Sequence, residues 1–151
     1  MNVQIYSRAA MEERLHTGPL ESKTAVISFY DPVSRKFPGT YAPIDYSGQC
    51  DRIIQLAVHD VDLEVLPEFG LTFETYFPEA PKLSQFIKQA FADGFDIICQ
   101  CEYGQSRSAA CAAAIQEYYF KDGISIFADY RYYPNQLIFN KLLSALRSTK
   151  D

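Results

Sequence analysis

The segment from Cys101 to Ser108, which reads CEYGQSRS, combines a nucleophile with groups that bind an anion. Cys101 supplies a thiol whose thiolate form attacks electrophilic centres. Arg107 follows after five intervening residues and offers a planar fork that matches two oxygens of a phosphate. Backbone N–H groups of the intervening loop and of a following helix can converge on the same anion, and Gly104 permits the tight curl that this requires. The pattern predicts a cysteine that reacts with a bound tetrahedral oxyanion.

The sequence around this segment predicts the elements that position it. Residues 95–99 (FDIIC) follow Gly94 as a short apolar run that is typical of a buried strand. Residues 108–120 are rich in alanine and predict a helix. Ligands of α/β proteins bind at the carboxyl ends of strands, which is where this strand-to-helix turn lies. The predicted elements and the predicted chemistry therefore agree.

The first half of the chain predicts short strands separated by loops. Residues 3–6 are a candidate edge strand, and β-branched and aromatic residues predict a buried strand at 25–30. The next candidate strand is at residues 53–58. A short helix is predicted at residues 9–15. Between the second and third strands, residues 31–49 contain several prolines and glycines and predict a loop.

Two amphipathic helices are predicted in the second half. The first begins at Pro78 or Pro81 and stops at Gly94, and its buried stripe consists of Leu83, Phe86, Ile87, Ala90 and Phe91. The second is opened by Pro134, and its buried stripe consists of Ile138, Phe139, Leu142, Leu143 and Leu146. Strands that alternate with helices predict one α/β domain over residues 1–151, with a central, mainly parallel sheet flanked by helices.

The composition argues against several classes of function. Lys and Arg number 14 against 19 Asp and Glu, and the resulting formal charge of −5 gives no basis for non-specific binding of nucleic acid. No apolar run approaches the ~18 residues that a membrane span needs. The first residues include acidic groups and no apolar core of a secretory signal. The prediction is a cytoplasmic protein with neither nucleic acid nor membrane as a partner.

The four cysteines are too few for a disulfide scaffold in a chain of 151 residues. Cys99 alternates with Cys101, but with only two histidines and no second paired motif a metal site is not predicted. Cys99 and Cys111 are expected in the core. Cys50 and Cys111 are the candidates for a reversible disulfide with Cys101 under oxidation. No metal or other cofactor is expected.

The arrangement Cys-x5-Arg-Ser between a strand and a helix resembles the signature loop of the cysteine-dependent protein tyrosine phosphatases, in their small dual-specificity-phosphatase-like branch. The likeness extends to the helix that stops at Gly94, the strand FDIICQC, the helix start SRSAACAAAI and the segment YYPN before the last helix. It spans roughly residues 53 to 146. The resemblance implies a protein tyrosine phosphatase-like fold.

The resemblance also implies a two-step hydrolysis of a phosphomonoester. Cys101 thiolate would attack phosphorus and form a cysteinyl-phosphate, which water then hydrolyses. Ser108 would hydrogen-bond the sulfur and ease its departure in the second step. The phosphate would be held by Arg107 together with the loop residues Glu102, Tyr103, Gly104, Gln105 and Ser106. Phosphate-like oxyanions are expected to inhibit the reaction.

A general acid is implied on a loop that follows an earlier strand. The predicted strand at 53–58 leads into the segment His59-Asp60-Val61-Asp62. Asp60 is the first candidate for the acid and Asp62 the second. His59 is interpreted as a loop or strand-end residue. Residues 63–77 form a longer connection than the smallest members of the family have.

One residue departs from the family pattern, because Gln100 stands where a histidine usually precedes the nucleophile. Glutamine can order the loop through hydrogen bonds, but it cannot carry a charge. A catalytically weak or inactive phosphate-binding module of the same fold is therefore the alternative prediction. A thiol enzyme of the sulfurtransferase or arsenate-reductase type is a third, which the Ser-Arg-Ser sequence and the preceding acidic loop disfavour.

The charge of the loop gives an expectation for the substrate. The loop contains Glu102 and no lysine, and the whole chain is acidic. A site for highly phosphorylated inositol would be surrounded by lysine or arginine. The expected substrate is therefore a phosphoester of modest charge, namely phosphotyrosine in a protein or a small aryl phosphate. Phosphoserine and phosphothreonine are alternatives.

Overall fold

A four-stranded parallel sheet forms the centre of the computed structural model, which describes residues 1–34 and 42–148. The strands run in the order β1-β4-β2-β3. Every pair of neighbours is parallel, as the sequence predicted. In chain order the strands are β1 (Val3–Ser7), β2 (Thr24–Tyr30), β3 (Arg52–Ala57) and β4 (Asp96–Cys101).

Helices cover both faces of the sheet. They are α1 (Arg8–His16), α2 (Ala80–Ala92), α3 (Arg107–Phe120), α4 (Ile124–Phe127) and α5 (Gln136–Ser148), and a 3-10 helix spans Leu63–Phe69. None of the helices among the described residues combines the length and the apolar character that crossing a membrane requires. The α/β class predicted from the sequence is confirmed.

The two central strands are apolar because both of their faces are covered. Ile27 and Ile97 point to the side where α2, α3 and α5 pack. Val26 and Ile98 point to the other side, where they meet Met11 of α1. The small side chains of α3 let this helix lie close to the sheet, and residues 107–115 of it are buried without a break.

Some predicted boundaries and positions differ from the structure. β4 continues to Cys101 rather than stopping at Cys99, because Gln100 and Cys101 still pair with β1. Phe91 was predicted in a buried stripe, but it is 43% exposed. Its ring stacks on Tyr119 with a centroid distance of 4.0 Å at the surface. Residues 35–41 of the predicted loop lie outside the described residues.

Candidate active site

Cys101 is the last residue of β4 and lies at the carboxyl edge of the sheet. Its side chain is buried, at 2% exposure, and faces α3. The Ser108 Oγ lies 3.1 Å from its Sγ, and the Ser108 N–H donates to the same sulfur at 3.4 Å. The first turn of α3 thus supplies two polar groups to the sulfur, and the structure brings together two residues that the sequence predicted as partners.

Carbonyl groups of the loop between Cys101 and Arg107 accept hydrogen bonds from N–H groups outside the loop. The Glu102 carbonyl accepts from the Arg8 N–H at 3.0 Å, and the Gln105 carbonyl accepts from the Tyr133 N–H at 2.8 Å. The Ser106 carbonyl is tied in the same way, by backbone N–H groups of Ala110 and Asn135 at 2.9 and 3.1 Å. In a trans peptide the N–H points opposite to the carbonyl, and the described chain has no cis bond. The N–H groups that follow these carbonyls are therefore directed into the loop, where an anion would accept them.

Gly104 is required at the middle of the loop for two reasons. Its φ is +66°, in the left-handed region that other residues rarely adopt. A Cβ atom placed there would lie 2.7 Å from the backbone N of Ser7, where β1 ends. Because the obstacle is backbone, no side chain can move aside to make room.

We expect Gly104→Ala to lower the free energy of unfolding by about 1–3 kcal/mol, from backbone strain and steric overlap combined. Urea denaturation measures the loss. Gly48→Ala is the matched control, because Gly48 has a φ of +70° and nothing within 4 Å of an added Cβ. Equal losses in the two variants would show that the contact with Ser7 is unimportant.

Arg107 begins α3 and is almost fully buried, at 4% exposure. Its Nη1 donates to the Asp31 Oδ1 and to the Val58 carbonyl, both at 2.8 Å. Its buried Nε has no hydrogen-bond acceptor among the residues that the structure describes. A buried guanidinium donor normally has an acceptor, so the Nε side of the fork is available to an anion.

Asp31 is a residue of this site that the sequence analysis missed. It directly follows β2, the strand that pairs with β4 in the sheet, and its side chain is 23% exposed. The signal was present, because polar residues at the carboxyl ends of neighbouring parallel strands meet at one edge. Asp31 fixes the Nη1 side of Arg107, and this leaves the orientation of the guanidinium defined before any anion binds.

The acidic segment after β3 lies across from the loop. The Asp60 Oδ1 accepts from the Ser106 Oγ at 2.7 Å and from the Asn135 Nδ2 at 3.0 Å. Asp62 is exposed and precedes the 3-10 helix, which its side chain does not cap. The structure therefore places Asp60, the first candidate for the acid, directly against the loop between Cys101 and Arg107.

The remaining predicted loop residues differ in their accessibility. Glu102 is half-buried, Gln105 is exposed and Tyr103 is 77% exposed. The N–H groups of this loop are directed into it, as described above, while the Tyr103 and Gln105 side chains extend to the surface. Their contribution to binding would accordingly come from their peptide groups.

Gln100 is buried on the opposite face of β4 from Cys101. Its Oε1 accepts from the Ser28 Oγ at 2.5 Å and from the Tyr46 OH at 2.9 Å. Burial raises the pKa of Tyr46, so its hydroxyl keeps the proton that it donates. The position before the nucleophile is thus held by neutral hydrogen bonds.

His59 directly precedes Asp60 and lies near Asp31 and Arg107. Partial burial lowers the pKa of His59, and the nearby Arg107 acts in the same direction while Asp31 opposes it. The imidazole is therefore neutral at pH 7, and its ring packs on Phe69 with a centroid distance of 4.7 Å. It adds no positive charge to the site.

All four cysteines are free thiols. Cys99 and Cys111 are buried as predicted, and burial raises the pKa of Cys111. Cys50 is half-buried, and burial together with Asp51 raises its pKa as well. Within residues 1–34 and 42–148, no group of three or more His, Cys, Asp or Glu side chains is arranged to hold a metal ion.

A cleft of about 650 Å³ opens beside the loop at Asp60 and Ser106. Phe73 and Tyr133 contribute aromatic surface to it, and Asp62 and Glu64 contribute carboxylates. The described lining contains neither lysine nor arginine. The group that is attached to a bound phosphate would therefore lie against an acidic and partly aromatic surface.

Comparison with known proteins shows which solved structures share this fold. Sequence profiles of known families give no match, and no curated protein sequence is similar. Among solved structures, the human tyrosine phosphatase-like serine/threonine/tyrosine-interacting protein matches with a TM-score of 0.56 and 16% identity, over 91% of this chain and 83% of its own. PTPMT1 in complex with PI(5)P matches with a TM-score of 0.55 and 15% identity, over 97% and 90%. A mutant form of Tk-PTP gives 0.51 and 10%, over 98% and 93%.

The chain therefore has the fold of these tyrosine phosphatase-like proteins. The fold that the sequence resemblance implied is confirmed. Sequence identities of 10–16% establish the fold alone.

Proposed function

We propose that the protein is a cysteine-dependent phosphatase that hydrolyses phosphomonoesters of modest charge, with phosphotyrosine in proteins as the main class. The observation that carries this proposal is the buried guanidinium of Arg107, which is fixed on one side and whose Nε has no acceptor within residues 1–34 and 42–148. It stands at the end of a loop that begins with Cys101, a thiol held by Ser108. A phosphate bound there would complete the hydrogen bonding of the arginine within reach of the nucleophile.

In the first step the Cys101 thiolate attacks phosphorus, so that an S–P bond forms as the P–O bond to the leaving group breaks. Arg107 and the inward N–H groups stabilise the equatorial oxygens. The Asp60 Oδ1 is occupied by Ser106 and Asn135, so its Oδ2 carries the proton that passes to the leaving oxygen.

In the second step Asp60, now a carboxylate, takes a proton from water as the water oxygen attacks phosphorus. The S–P bond breaks and its electron pair returns to Cys101. The Ser108 hydroxyl, 3.1 Å from the sulfur, donates to the departing thiolate. Inorganic phosphate leaves, and the acid is again protonated. No metal or other cofactor is needed for this sequence.

The assignment of the acid is tested by Asp60→Asn and Asp62→Asn. We expect Asp60→Asn to lower kcat on phenyl phosphate by about 10²–10⁴-fold and to remove the basic limb of the pH–rate profile, because an amide cannot supply a proton. Asp62→Asn is the matched control and should retain that limb. A basic limb lost only in Asp62→Asn, or retained in both variants, would reject Asp60.

A non-catalytic phosphate-binding module is the second candidate, and one observation favours it. Gln100 is fixed by neutral hydrogen bonds in the position where the family has a histidine. Tight binding of tungstate without turnover of any aryl phosphate or phosphopeptide would support this function. Turnover that tungstate inhibits competitively supports the phosphatase.

The acidic cleft supports the proposed substrate class. Asp62 and Glu64 line the cleft beside Asp60 and give it negative charge. A second phosphate on the substrate would be repelled there. Measuring kcat/KM ranks the candidate substrates. The assay compares a phosphoinositide with peptides that carry phosphotyrosine, phosphoserine or phosphothreonine.

A further inference from the structure

Asn135 connects the last helix with the acidic segment. It directly precedes α5 and is buried, with only 7% of its surface exposed. Its Oδ1 accepts from the Ile138 N–H at 2.9 Å, which is the bond of an N-terminal helix cap. Its Nδ2 donates to the Asp60 Oδ1 and to the Val61 carbonyl, both at 3.0 Å. One side chain therefore caps a helix and holds the candidate acid.

The helix alone does not explain an asparagine at this position. Asp and Ser cap helices as well as Asn does, because each supplies the oxygen that accepts from the first turn. Only the amide also supplies two N–H donors on the opposite side of the group. Those donors are used by Asp60 and Val61, so the choice of asparagine is accounted for by the acidic segment.

The surroundings of Asn135 hold the same segment at a fixed distance from the loop. Its backbone N–H donates to the Ser106 carbonyl at 3.1 Å, which ties it to the phosphate-binding loop. The Tyr76 OH donates to the His59 carbonyl at 2.5 Å and lies 3.4 Å from the Asn135 Nδ2. Burial raises the pKa of Tyr76, so the hydroxyl remains a donor. Asn135 thus joins the loop to the acid, in addition to the direct bond between Ser106 and Asp60.

We infer that Asn135 is a positioning residue for Asp60. By holding Oδ1 and the neighbouring backbone, it keeps Oδ2 directed at the leaving oxygen of a bound phosphoester. The inference rests on the proposed function, because it acts through the proton that Asp60 delivers. Asn135 itself need not touch the substrate.

The test compares leaving groups in Asn135→Ser and Asn135→Asp, which both retain a helix-capping oxygen. A phosphoester with a poor leaving group, phenyl phosphate, needs the acid, whereas dinitrophenyl phosphate leaves without a proton. We expect kcat on phenyl phosphate to fall by roughly 10–100-fold, and kcat on dinitrophenyl phosphate by less than about threefold. In Asn135→Asp the basic limb of the pH–rate profile should also move to higher pH, because a carboxylate beside Asp60 favours its protonated form.

A double variant separates positioning from a general structural effect. In the Asp60→Asn background, Asn135→Ser should cause no further loss on phenyl phosphate, because the acid is already absent. Asn2→Ser, the same substitution at an exposed position before β1, is the control and should leave both substrates unaffected.

Two results would overturn the inference while leaving the phosphatase assignment in place. These are equal losses of Asn135→Ser on the two leaving groups, and losses that multiply in the double variant. Failure of the wild-type protein to hydrolyse either ester would instead overturn the proposed function itself.

Discussion

Cys101→Ser should abolish turnover, with kcat on an aryl phosphate falling by roughly 10⁴–10⁶-fold. The serine hydroxyl is a far weaker nucleophile than a thiolate. Binding of tungstate should persist, because Arg107 and the loop amides are unchanged. Steady-state kinetics together with calorimetric titration of tungstate measures the two effects separately.

The matched control for this variant is Cys50→Ser, which changes a half-buried thiol that lies away from the loop. It should keep nearly full activity. Rapid quenching of the wild-type reaction should also trap one phosphate per protein on a thiol, and Cys101→Ser should show none. Appreciable turnover by Cys101→Ser, or a thiol-linked phosphate on that variant, would exclude Cys101 as the nucleophile.

Arg107→Lys should lower kcat/KM by at least about 10³-fold, although the charge is retained. An ammonium group cannot donate to Asp31 and Val58 and at the same time present a second, parallel donor to a phosphate. The loss should appear in tungstate affinity as well as in kcat, because the fork binds the anion before and during the reaction. Titration with tungstate measures the affinity, and steady-state assays of the same preparation measure kcat.

The control for the arginine is Asp31→Asn, in which the guanidinium remains and the amide oxygen still accepts from Nη1. We expect its loss to be much smaller than that of Arg107→Lys, and to fall mainly on KM, since Asp31 orients the fork without touching the phosphate. An Arg107→Lys variant with wild-type tungstate affinity would mean that the anion binds elsewhere.

The geometry of the loop from Cys101 to Ser108 could be predicted because its information is local. Cys101, Gly104, Arg107 and Ser108 lie within eight residues, and the strand before them and the helix after them have clear apolar and alanine-rich patterns. A strand, a tight turn and a helix leave little freedom for where these side chains go. The parallel arrangement of the sheet followed from the alternation of strands and helices.

The contacts of the supporting residues could not be predicted, because they depend on which strands become neighbours. The sequence shows that Asp31 follows a strand, but Asp31 reaches Arg107 only because β2 pairs with β4. Gln100 contacts Ser28 for the same reason, and Tyr46 comes from a connection without regular structure. The two contacts of Gln100 have no signature in the sequence around them.

The choice between Asp60 and Asp62 shows the same limit on a smaller scale. Both follow β3 within a few residues, and a strand gives no information about how the next loop turns. The structure separates them, since Asp60 meets Ser106 and Asn135 while Asp62 is exposed before the 3-10 helix. The 3-10 helix and the four-residue helix α4 escaped prediction because such short elements lack a periodic pattern.

The strand order has a consequence for when the candidate site forms during synthesis. β1 pairs with β4, and Ser7 at its end abuts Gly104, so within the described sheet β1 has no partner until β4 has been synthesised. Asn135, which contacts Asp60, is translated later still. Because such distant pairings form late in folding, a nascent chain that ends before Asn135 should carry the Cys101 thiol but no organised anion site. The site would therefore be complete only after Asn135 has left the ribosome.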